Sequence, residues 1–378
     1  MAKTIALFNI QILFLFSFCL DLPSQNNPRE LLVDWKTNTN KRIVDLKELT
    51  ILLKPDQIPP IYDPTYVDIE GSLKILSPYE PLISVEISGE ARGYPLSILM
   101  FHEIVNDIVG GMAVSITYCP LCNAAIVFDR TIIYNGEELV LDFGVSGMLR
   151  KSDLVMWDHQ TESWWQQLTG QAIVGELVSQ ELKIIPSMII SVDNFSSIYP
   201  NGKILKHPVI LNPRYGSNPY VNYDDIQNRN PFLFDEKTDS RLPPMERVVD
   251  LTIDGKKKIY PYSALRQEKV IHDEFKGEQY VLFFNEKILS VLGDAKISEN
   301  HMVGSAGVFK PYVDGEKLTF NYRDGKIYDN QTNSIWNIAG HCVKGHYSGT
   351  SLTLVPHANH FAFAVLAFYP ESEIYVLE

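Results

Sequence analysis

Two stretches of this chain carry the same hydrophobic and polar pattern. In the first, residues 82–87 alternate towards a turn at Gly89, and a second short run reaches Tyr94-Pro95. In the other, residues 248–253 lead to Gly255 and then to Tyr260-Pro261. A period of two bounded by glycine is the signature of half-buried strands joined by a turn. Proline then suits the first position of a helix, where its missing N–H would have had no partner. The pattern predicts helices over 96–106 and 262–272, followed by β-branched and aromatic strands at 113–118 and 280–284. Further strands lead to Asp158-x-Gln160-Thr161 and Asp329-x-Gln331-Thr332, each followed by a tryptophan.

A shift of 166 residues lays 79–128 over 245–294 without a gap, and the order of matches is kept through Trp165 and Trp336 to the Tyr-Pro pairs at 199 and 369. We therefore expect an α+β fold, internally duplicated, of mostly antiparallel β-rich units, each with a short helix after its Tyr-Pro motif. The expected units are 58–205 and 245–378, joined by an irregular connection over 206–244 that is rich in Asn, Pro, Tyr and Asp. Residues kept in both stretches, Tyr94, Pro95, Asp158, Gln160, Thr161, Trp165 and Trp336 among them, are expected to serve the fold: a turn whose side chains bond its own backbone, and tryptophans that anchor cores.

At 378 residues and 45% hydrophobic content the chain can bury more than one core. Its 33 basic against 46 acidic residues give a net charge of -13, which argues against nucleic acid and anionic membrane surfaces as partners. No glycine-rich phosphate-binding motif points to a nucleotide cofactor. Residues 1–22 combine Lys3 with an apolar run broken by Asn9, Gln11 and Ser17, the pattern of an export signal. Cys19 adds a lipoprotein-type anchor as a second option. Either places the mature chain in the periplasm or at the cell surface, without a transmembrane span and touching a membrane only through a lipid. Beyond Cys19 only Cys119, Cys122 and Cys342 remain, too few for a disulfide framework.

Under the same shift Cys119 and Cys122 fall on Asn285 and Ile288, and His102 falls on Glu268. Three soft donors are thus present in one stretch and missing together from the other. Two thiols three residues apart on a tight turn can face one ion, and a helical His102 would complete a set with one position open, suited to zinc or copper. His341, Cys342 and His346 form one further cluster of candidate ligands, and His357 with His360 another. The same Cys-Pro-x-Cys turn suits a thiol-disulfide oxidoreductase, although residues 123–129 are too short and β-branched for the long helix of a thioredoxin fold. A third reading is a non-catalytic interaction module with a structural disulfide, in which Tyr215, Tyr220 and Tyr223 present a binding face. Ser146 and Arg150 could bind an anion, against the plainer reading of a hairpin with a salt bridge.

Long motifs in the chain resemble those of a large, mainly bacterial family catalogued only as a domain of unknown function. They include Gly93-Tyr-Pro-Leu96, His102-Glu-Ile-Val-Asn-Asp107, Thr117-Tyr-Cys-Pro-Leu-Cys122, Ser152-Asp-Leu-Val-Met156 and Arg241-Leu-Pro-Pro-Met-Glu246. The likeness runs from about Ile58 to the C-terminus. It implies an exported protein with a Tyr-Cys-Pro-x-Cys signature and brings no activity, substrate or cofactor with it. Members tend to be richer in Trp where this chain has His357-Ala-Asn-His360-Phe-Ala-Phe363.

Overall fold

The computed structural model describes residues 35–208 and 214–377. The leader over 1–22 and the fate of Cys19 lie outside the described residues. Among those described, no helix is long and apolar enough to cross a membrane.

The α+β expectation is overturned. The protein is mostly β, with 42% of residues in strands against 10% in helices, and the sheets are mostly antiparallel. The five helices among the described residues run for only four to seven residues each. The helix expected over 96–106 covers only Leu96–Leu99. Glu103 then adopts a positive φ of 56° and Ile104–Val109 is a strand paired with Met112–Cys119. The helix expected over 262–272 likewise spans Tyr262–Glu268, stops at Lys269 with φ 63°, and gives way to the strand Val270–Phe275. In both places the proline marks the helix start. The β-branched residues that follow are stiff at χ1 and pack better on a pleated surface, so the chain turns into a sheet that tertiary pairing completes.

A seven-stranded sheet organises the centre. Its order is Glu373–Ile374, Lys256–Pro261, Arg247–Ile253, His357–Phe361, Ala124–Asp129, Met112–Cys119 and Ile104–Val109. Strands distant in sequence meet where Asn359 pairs with Ala125. A five-stranded sheet of Leu49–Ile51, Phe143–Arg150, Asp153–Asp158, Trp164–Gln166 and Gln171–Val174 packs beside it. Their contact forms the largest apolar core, in which Tyr118, Val127, Phe143, Met156 and Trp165 are all buried.

The two Asp-x-x-Thr turns make the same bonds. Asp158 Oδ1 accepts from Thr161 N at 2.6 Å and Oδ2 from Trp165 Nε1 at 2.8 Å. Asp329 accepts from Thr332 N at 2.6 Å and from Trp336 Nε1 at 3.0 Å. Gln160 spans its turn to Asp142, accepting from its N–H at 2.9 Å. Tyr94 donates to Asp107, and Pro95 closes its strand opposite Leu82.

Candidate metal centre

Cys119 ends the strand Met112–Cys119, and Ala124, its pairing partner, begins the next. The four residues between make a tight hairpin loop, closed by Asn123 N donating to Pro120 O at 3.2 Å with Asn123 at φ 48°. A loop of this length is usually built on a type I turn, and here it brings both sulfurs to one side. In the neighbouring sheet, Arg150 pairs with Asp153 across a two-residue turn, Lys151-Ser152, with φ of 52° and 69°. Two positive φ values are what a type I′ hairpin requires, at a strain that non-glycine residues carry only where the surroundings enforce it. Ser152 is held by its hydroxyl donating to Phe232 O at 2.7 Å, while Cys119 Sγ lies 3.8 Å from Ser152 O.

The two hairpins meet so that one ligand atom each of Cys119, Cys122 and Asp153 lies within 4.8 Å of the others. A tetrahedral zinc with bonds of ~2.0–2.3 Å sets its ligands about 3.4–3.8 Å apart, so closing on an ion needs a movement of about 1 Å or less. All three residues are buried, and the cysteines are thiols. Asp153 Oδ2 is fixed by Gln166 Nε2 at 2.6 Å and by Leu168 N at 2.9 Å, whereas Oδ1 has no nitrogen or oxygen donor and faces the two thiols. A buried carboxylate faced only by weak thiol donors is costly unless something positive reaches it.

The electrostatics of the group are one-sided. Burial pushes the Asp153 carboxyl up to about 7 against the bonds from Leu168 and Gln166 and weaker ones from the two thiols. Burial, and then the charge of Asp153, pushes Glu103 up to about 8. Burial also raises both thiols, Cys122 further than Cys119. No Lys, Arg or His among the described residues pairs with Asp153 or Glu103 to offset this. The Cys119–Cys122 pair beside Asp153 can therefore hold a metal ion, with the one-sided charge in its favour.

His102 is not brought to the pair. Since its helix ended three residues earlier, its ring lies against Pro59 and Tyr215, with Nδ1 2.6 Å from Pro59 O and Nε2 2.5 Å from Tyr215 Oη. The Pro59 carbonyl can only accept, so Nδ1 carries the proton and Nε2 accepts from the tyrosine; burial holds the imidazole below its ordinary value. The other candidate ligands also stand apart from the group. His341 packs on Tyr199, His346 on Tyr347, and the Cys342 thiol on Lys344 O at 3.6 Å. His357 Nδ1 donates to Val355 O at 2.7 Å, and His360 Nε2 lies 3.3 Å from Asp250 Oδ1.

The candidate anion site forms a hairpin with an ion pair. The Ser146 hydroxyl donates to Val155 O and accepts from Met148 N, inside a bulge between Val145 and Met148. Arg150 pairs with Glu48 at 2.7 Å. The tyrosines of the connection pack inwards: Tyr223 donates to Leu121 O at 3.0 Å and sets its ring against Phe361.

A family model described as protein of unknown function (DUF3179) matches residues 55–372. The chain belongs to that family. The DUF3179 match includes Glu103, Cys119, Cys122 and Asp153, so the whole group lies inside the family's span. Neither a search of curated proteins nor one of solved structures gives a match.

Sequence reasoning found the two cysteines and missed Asp153 and Glu103. Nothing in the spacing links Asp153 to the cysteines, since the contact joins two hairpins from different sheets. Glu103 follows His102 directly, without the His-x-Glu spacing of a deaminase-type zinc site, and no local spacing ties it to the cysteines.

Proposed function

We propose that this protein binds one zinc ion through Cys119, Cys122 and Asp153, with the fourth coordination position open. The observation that carries this reading is the buried Asp153 carboxyl set against two buried thiols with no basic residue to balance them. A carboxylate oxygen is a hard ligand; it suits zinc and disfavours copper(I), which prefers sulfur throughout. Three protein ligands and an open position are the pattern of zinc sites that act on a bound water or ligand, whereas structural sites close with a fourth side chain. The leader pattern over 1–22 suggests that the site works outside the cytoplasm.

Thiol-disulfide exchange with a protein partner fits less well. It calls for a thiolate of lowered pKa within reach of solvent, and here burial raises both thiols, which are 2% and 0% exposed.

The test is elemental analysis with thiol counting on protein purified without chelator, beside a Cys119→Ser, Cys122→Ser variant and Asp153→Asn. We expect about one zinc per chain in the wild type, none in the double variant, and weakened retention in Asp153→Asn. A metal-free wild type that takes up no zinc on titration refutes the reading.

A further inference from the structure

A cavity of about 330 Å³ adjoins the centre. Its mouth lies among Gln57, Pro59 and Arg214, which are exposed, and its floor includes Glu103 and Cys119, which are buried. Between them the walls are apolar, with Leu53, Met100, Val145, Leu154 and Phe232 among the lining residues. The volume falls in the range of small-molecule sites, ~300–1,000 Å³. At ~30 Å³ per water it has room for an occupant of roughly ten heavy atoms.

We infer that this cavity binds a small, mostly apolar molecule whose single neutral, carbonyl-type head reaches the open position of the zinc beside Cys119 and Glu103. The apolar body follows from the walls, which reward burial of hydrocarbon and leave a polar body without partners. The head follows from the floor. Cys119 and the Glu103 carboxyl line it, with Cys122 and the Asp153 carboxyl beside Cys119, so an anionic head meets like charge. A neutral oxygen can instead be a Lewis base to the metal. The placement of the head rests on the zinc reading above, whereas the apolar body rests on the cavity alone.

The experiment uses the full chain loaded with Co²⁺ in place of zinc, whose visible bands report the ligands of the ion, and titrates it with 2-octanone. Toluene serves as an apolar probe without an acceptor. The half-buried wall, which Leu53 and Leu149 both line, is filled in Leu53→Trp and, separately, in Leu149→Trp. We expect a saturable one-to-one change in the cobalt bands with 2-octanone. Toluene should compete for the cavity without changing the bands itself. Affinity for the ketone should fall at least tenfold in both variants while one cobalt per chain is kept. Full cobalt loading with no response to millimolar 2-octanone, or equal affinity in wild type and both variants, overturns the inference and leaves the metal site standing. If the wild type takes up no cobalt or zinc, the metal reading fails first and the placement of the head fails with it.

Discussion

Replacing Glu103 by Gln tests the electrostatic argument directly, because the side chain keeps its size and loses only its ability to ionise. In the folded metal-free protein, burial and the neighbouring Asp153 carry this carboxyl from 4.5 to about 8. At ~1.4 kcal/mol per pH unit of displacement, the ionised form is disfavoured by about 5 kcal/mol. The folded state therefore holds a proton that the unfolded state has already lost. Its contribution to stability is fully present below pH 4.5 and is lost as pH rises towards 8. Part of the displacement comes from Asp153, which titrates over an overlapping window, so the difference expected between the two proteins is roughly 3 to 5 kcal/mol. Urea unfolding of chelator-treated, reduced protein at pH 5.0 to 8.5 reads it. Wild type and Glu103→Gln should agree within about 1 kcal/mol at pH 5, and the variant should be the more stable at pH 8 by about that difference. Zinc should flatten the wild-type slope, since a cation beside the carboxyl favours its charged form. Equal slopes in the two metal-free proteins would show that Glu103 is not held in the buried, one-sided environment described.

Asp153→Asn should lose zinc affinity yet raise the stability of the metal-free protein at pH 8 by a few kcal/mol, since the amide oxygen can still accept from Gln166 and Leu168 without the buried charge; urea midpoints with and without zinc read both effects. Trp165→Phe removes the donor 2.8 Å from Asp158 Oδ2 and should cost ~1–3 kcal/mol, and Trp336→Phe should cost a similar amount at Asp329. Lys257→Met strips the buried Asp250 of its lysine and should cost about 3–5 kcal/mol in thermal or urea unfolding. Burial alone would push Asp250 up, but Lys257 and His360 outweigh it and hold the carboxyl well below 3.8. Its contribution is present above pH 3.8 and lost as pH falls further, so the wild type should lose stability in acid more steeply than the variant.

What was legible in the sequence and what was not divides along the range of the interactions. The strands at 82–87 and 248–253 appear as Pro81–Ile87 and Arg247–Ile253, because their alternation is local. The two Asp-x-x-Thr turns were legible for the same reason: Asp158 and Asp329 bond residues only three and seven positions away. The helix over 96–106 was misjudged because Pro95 announces a start and nothing nearby announces the stop. What ends it is the pairing of Ile104 with Thr117 and a positive φ at Glu103, neither of which has a local signal. That one error moved the ligand assignment. The helix instead ends at Leu99, and in the turn that follows His102 meets Pro59 and Tyr215 while Glu103 lines the cavity.

The turns around the centre position its residues, as left-handed turn residues do at many hairpins of this fold. Lys151 and Ser152 hold left-handed conformations that Asn-Gly would adopt more easily, and Asn123 does so at the end of the cysteine loop. The inference runs from these outliers to the residue each one places. The Lys151-Ser152 turn sets Asp153 beside the thiols, Asn123 closes the loop that carries both cysteines, and Glu103, at positive φ just before the strand Ile104–Val109, lines the cavity with Cys119. Four left-handed residues thus set Cys119, Cys122, Asp153 and Glu103 around one small volume, and the groups they bring there are all acidic. Like charge gathered in one buried place works against the fold, and a cation held there would offset it.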